Sequence, residues 1–95
     1  MSRTAMVRIR EAILDQRYAL TEHAYKEMDA DNLDVLDVEA AILTGRLQEV
    51  LTDDPRGKRF VVHGKGCDQV TAIGVVTRLV EKNDVLVLTV YELRR

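Results

Sequence analysis

Apolar residues recur every three to four positions from Met6 to Ile42 and every second position from Leu47 onward. In the first part, Met6, Ile9 and Ile13, with Ala5 and Ala12 beside them, mark one face of a helix over Ala5–Leu14. Arg8, Arg10 and Glu11 are expected to face water. The stretch 16–20 breaks the pattern and reads as a short extended link. Thr21 is suited to cap a second helix, because its hydroxyl can accept from the free N–H groups of the next turn, where Glu22 meets the positive end of the helix. Ala24 and Met28 face the core, and the helix is expected to finish by Asn32. Asp34 starts a third helix with the stripe Val35, Val38, Ala41 and Ile42, and Gly45 stands where a left-handed residue would stop it.

The second part reads as strands. Leu47–Leu51 is short, and Asp53–Gly57 is a turn in which an Asp accepts from the backbone, Pro55 presets φ and Gly57 permits the exit. Arg59–His63 places Phe60 and Val62 on one face and Arg59, Val61 and His63 on the other. The segment 64–68 is a second turn, Val70–Val80 a long strand, and 81–84 a tight connection into Val85–Leu93. Strict alternation in that last strand puts Leu86, Leu88 and Val90 on one side, with Val85, Val87, Thr89 and Tyr91 on the other. Connections this short require antiparallel neighbours. The expectation is one α+β domain over 1–95, with N-terminal helices on one face of a four-stranded antiparallel meander.

Composition narrows the class. Among 95 residues, 46% are hydrophobic and 32% charged, which suits a folded globular domain. The lone Cys67 excludes an internal disulfide and fits a reducing compartment. With no membrane-length apolar run and charges spread through the N-terminus, a cytoplasmic location and no membrane association are expected. The net charge of −2 conceals an asymmetry: ten acids and two Lys or Arg lie between Glu22 and Asp54, whereas Pro55–Lys65 carries four bases and no acid.

That basic stretch adjoins the groups able to carry chemistry. Cleaving RNA needs a base for the 2′-hydroxyl, a cation for the phosphorane and an acid for the leaving oxygen. If the strand faces coincide, His63, Arg59 or Lys65, and Tyr91 supply these roles, with Thr89 and Arg56 placed to bind substrate. The alternative is that His63 and Tyr91 are ordinary half-buried strand residues. His23, in the first turn of its helix, packs against the sheet or serves as a neutral group at the edge of the site. His63, Cys67 and His23 lack the paired spacing of zinc ligands, and the glycines at 64 and 66 lack the strand–loop–helix context of a phosphate loop, so neither metal nor cofactor is expected.

Several residues carry a family resemblance: Thr21-x-His23-Ala24 with Met28, Asp37-Val38-x-x-Ala41-Ile42-x-x-Gly45, Asp54-Pro55-Arg56-Gly57, Gly64, and Thr89-Val90-Tyr91-Glu92. From Tyr18 to Leu93 the chain resembles the DUF4258 family of domains of unknown function, itself similar to the RelE and BrnT toxins. Those toxins fold as two helices on a four-stranded antiparallel sheet and are ribonucleases neutralised by a small antitoxin. The resemblance implies a metal-independent, toxin-like endoribonuclease with RNA as substrate, a small antitoxin-like protein as partner and a site on the exposed sheet face. The family commonly reads H-A-x-x-R-M-x-x-R, and Glu27 and Asp31 stand at the arginine positions here; two acids beside a phosphate site would repel RNA. The alternative function is a non-catalytic protein-binding or dimerisation module, since exposed strand edges invite pairing and make a homodimer plausible.

Overall fold

Three side chains turn extended backbone into helix in the computed structural model, which describes residues 4–93 apart from the side chain of Lys82. Thr4 Oγ1 accepts from the Val7 N–H at 3.2 Å and starts α1 (Ala5–Leu14). Thr21 Oγ1 accepts from the Ala24 N–H at 3.1 Å and starts α2 (Glu22–Ala30), after the short strand β1 (Tyr18–Leu20). Asp34 accepts from the Asp37 N–H at 3.1 Å while Asp37 accepts from the Asp34 N–H at 3.1 Å, a reciprocal box that starts α3 (Val35–Thr44).

Gly45 ends α3 for a reason other than the one expected. Its backbone is extended (φ −85°, ψ −178°), with no left-handed turn. What requires glycine is proximity: a Cβ there would lie 2.4 Å from the Ala41 carbonyl oxygen and 2.6 Å from that of His63. Gly64 is tighter still, its Cβ position falling 1.9 Å from the Ala41 oxygen. Two glycines therefore let α3 lie directly on the strand beneath it.

The strands β2 (Arg46–Leu51), β3 (Arg59–Lys65), β4 (Ala72–Leu79) and β5 (Val85–Glu92) form the expected antiparallel meander. Among the described residues, however, the sheet has five strands, in the order β1-β5-β4-β3-β2. The presumed link at 18–20 is β1, which pairs parallel with β5, Tyr18 opposite Val85. Nearly the whole domain separates the two strands, so the long connection that parallel pairing needs is present. The Tyr18 hydroxyl donates to Glu39 on α3, anchoring β1 to the helical layer, and the burial and that carboxylate push the phenol up to about 12.

Strict alternation also fails in β5. Its register with β4 shifts between Val76 and Thr77, which face Thr89 and Val87, so Leu88 is an extra residue. Val85, Val87 and Val90 consequently share the buried face, while Leu86, Thr89 and Tyr91 share the other. The core closes between Ile9, Ile13, Met28, Val38 and Ile42 of the helices and Val62, Ile73, Val75 and Val87 of the sheet. Arg10 does not simply face water: its guanidinium donates to the Gly45 carbonyl at 2.7 Å, joining α1 to the end of α3.

Beyond β1, helix α2 takes over the edge of β5. Thr21 Oγ1 donates to the Leu88 carbonyl at 3.1 Å, Glu27 accepts from the Val90 N–H at 3.1 Å, and Asp31 accepts from the Glu92 N–H at 3.0 Å. Four helical residues rise about 6 Å and two strand residues about 6.8 Å, so carboxylates one turn apart match alternate strand amides. Among the described residues no helix is long and apolar enough to cross a membrane.

Candidate functional site

The sheet face turned away from the helices carries the chemistry-bearing side chains. His63 of β3 pairs with Gly74 of β4, which pairs with Tyr91 of β5, so the three form one row across the sheet. Gly74 leaves the room that joins the outer two. A Cβ at that position would sit 2.4 Å from the Tyr91 ring, which therefore lies flat over the glycine and extends toward His63. The two rings meet edge to face, with centroids 6.4 Å apart and planes at 88°. Burial, with the charges of Glu49 and Glu27 adding to it, raises the Tyr91 phenol above its ordinary value, so it remains a hydrogen-bond donor at neutral pH. Thr89 occupies the same face two residues earlier along β5.

Beside His63 opens a cleft of about 320 Å³ whose walls include Thr44, Arg46, Gln48, His63, Lys65 and Leu93. Arg46 sits opposite His63 in the β2–β3 register, and Lys65 follows His63 by two residues on the same face. Among the described residues, the three titratable side chains lining the cleft are all basic. Thr44 Oγ1 accepts from the Lys65 N–H at 3.3 Å and fixes the end of α3 against the end of β3. Arg46, Thr44 and Gln48 were missed by sequence reasoning, which started this strand at Leu47. The signal was the basic residue directly after Gly45, but its value depends on a cross-strand register that sequence spacing does not disclose.

The other expected site residues lie apart from this cleft. Arg59 is four residues from His63, about 13 Å along the strand, and pairs with Asp53 at 2.9 Å. Arg56 forks onto Asp54, Nε to Oδ1 at 3.1 Å and Nη2 to Oδ2 at 3.2 Å, and Arg78 reaches the same carboxylate at 2.6 Å. Asp54 also accepts from the Arg56 N–H at 2.9 Å, completing the expected turn. Arg56 first, and the charge of Arg78 after it, hold the Asp54 carboxyl down at about 2. Arg56 and Arg59 are thus committed to an ionic cluster at the far end of the sheet.

His23 does not pack against the sheet. Its imidazole is 68% exposed and Nε2 lies 3.3 Å from Glu27 Oε1 on the same helix. The Cys67 N–H donates to Asp37 at 2.9 Å, and desolvation together with that carboxylate pushes the thiol up, away from nucleophilic character. Among the described residues no three His, Cys, Asp or Glu side chains are grouped as metal ligands.

Against known families, the profile of a domain of unknown function matches residues 20–92, most of the described chain. The chain belongs to the DUF4258 family. No curated protein and no solved structure matches it. The DUF4258 match takes in α2, α3, the cleft walls other than Leu93 and the His63–Gly74–Tyr91 row, and leaves α1 outside.

Proposed function

We propose that this DUF4258 domain is an RNA-binding, metal-independent endoribonuclease of the RelE or BrnT toxin type, acting in the cytoplasm and held in check by a small antitoxin-like protein. The observation that carries the reading is the cleft in which Arg46, Lys65 and His63 converge beside the Tyr91 ring. A phosphodiester suits such a cleft, because each phosphate contact depends on a cation and an aromatic face can stack a neighbouring base. Glu27 and Asp31 fit the reading better than their charge suggests, since both carboxylates are engaged with the backbone N–H groups of β5.

In the proposed reaction His63 removes the proton from the 2′-hydroxyl, whose oxygen attacks the adjacent phosphorus. Lys65 and Arg46 offset the charge that builds on the phosphorane oxygens. The P–O5′ bond breaks and the departing oxygen takes the Tyr91 phenolic proton, an alkoxide being far more basic than a phenolate. The products are a 2′,3′-cyclic phosphate and a 5′-hydroxyl, and solvent returns the proton from His63 to Tyr91.

The test is cleavage of end-labelled single-stranded RNA in the presence of a chelator. The protein should cleave, leaving cyclic phosphate ends, and His63→Ala should lose about 100-fold or more of the rate. Absence of cleavage by the unaltered protein, or equal cleavage by His63→Ala, overturns the catalytic reading. Salt-dependent RNA binding without cleavage would leave the non-catalytic binding module in its place.

A further inference from the structure

We infer that β2 is a self-association edge through which two copies of this chain join their sheets. The two ends of the sheet are finished differently. At one end β1 is only three residues long, and α2 continues along β5 with Thr21, Glu27 and Asp31 bonded to its backbone. At the other end β2 runs for six residues, has β3 as its one strand neighbour among the described residues, and five of the six are exposed. An outer row of backbone donors and acceptors this long is a template for another strand.

The side chains of β2 say which strand fits. The register with β3 slips between Leu47 and Glu49, making Gln48 a bulge residue. Arg46, Glu49 and Leu51 pair with His63, Val61 and Arg59 and so share the open face; Gln48 joins Arg46 in the cleft wall. Leu47 and Val50 pair with Val62 and Phe60 and share the helix side, where they are 38% and 40% exposed. The order of faces along the strand is therefore the same read from either end. A second β2 laid antiparallel about a two-fold axis between Gln48 and Glu49 sets Leu47 opposite Val50 twice, Arg46 opposite Leu51, and Arg46 diagonal to Glu49 of the other copy. Each pair meets on a common face, and both apolar residues left in water gain an apolar neighbour. A slip of one or two residues in either direction sets Leu47 or Val50 against a residue of the opposite face, and a slip of three pairs only three residues of each strand instead of six, so this register is favoured.

The association joins two five-stranded sheets into a single layer with both open faces on the same side. The two clefts then flank the axis, because Arg46 and Gln48 belong to the joining strands. The inference stands on the strand edge alone and does not depend on RNA cleavage.

Sedimentation of the full chain at increasing concentration tests it, with Val50→Lys and Leu36→Lys compared. Val50 and Leu36 are both exposed, so each variant is expected to melt as the unaltered protein does. The unaltered protein and Leu36→Lys should reach twice the 10.8 kDa chain mass, and Val50→Lys should stay at the monomer mass. A monomer at the highest soluble concentration, or a dimer undiminished by Val50→Lys, overturns the inference. Loss of the dimer in Leu36→Lys would move the interface to α3 and overturn it equally. Amide exchange provides a readout without substitution: the β2 amides should slow as concentration rises, and rates independent of concentration contradict the pairing.

Discussion

Gly64 and Gly74 occupy the two opposite faces of the sheet and serve opposite purposes. On the helix side, a Cβ at Gly64 would lie 1.9 Å from a backbone oxygen that cannot swing away. Gly64→Ala should therefore lower stability by about 1–3 kcal/mol, read as a reduced midpoint in urea. On the open side, a Cβ at Gly74 would collide with the Tyr91 ring, which can swing away. Gly74→Ala should retain the fold while displacing the phenol from His63, and cleavage should fall with a nearly unchanged urea midpoint. At this scale the separation of His63 from Phe60 and Val62 was legible from a period of two, whereas Tyr91 reaches the His63 face only through the Leu88 bulge, since strict alternation sets it with the buried Val85 and Val87. The position of Arg46 and the purpose of Gly45 were not, since the first depends on the β2–β3 register and the second on how closely α3 approaches β3.

Helix α2 acts as a substitute strand, and its acids are the substituting acceptors. An arginine at position 27 could donate but not accept, leaving the Val90 N–H without its partner. Glu27→Arg is expected to cost about 1–2 kcal/mol in denaturant unfolding, with Glu27→Gln closer to unaltered because its amide oxygen still accepts. The same element shows where reading stopped. Helix caps, stripes and turns are local chemistry, and Thr21, Asp34 and Asp54 act where their residue types indicate. Strand β1 has three residues and no pattern of its own, and the Leu88 bulge is invisible to a rule that assumes strict alternation. Both are fixed by partners distant in sequence, Tyr18 by Glu39 and Val85, and Leu88 by the β4 register.

Across the whole molecule, acid stability and the proposed RNA binding follow from where charge is placed. Asp54, against Arg56 and Arg78, and Asp68, against Thr71, are each held at about 2 in the folded state, below the ordinary value of 3.8. A depressed carboxyl contributes stability above its unfolded value and loses it as pH falls toward the folded one. The melting temperature should therefore drop between pH 4 and about 2, and Asp54→Asn should flatten that drop. The opposite face of the charge distribution is the basic cleft, and the central claim is that RNA lies there. Amide chemical-shift mapping with a short single-stranded RNA, at a salt concentration low enough for binding, tests it most directly. Shifts concentrated at Arg46, Gln48, His63, Gly64, Lys65 and Tyr91, and reduced in Lys65→Ala, are the predicted result. Shifts confined to the helical side, or no shifts at any RNA concentration, would contradict it.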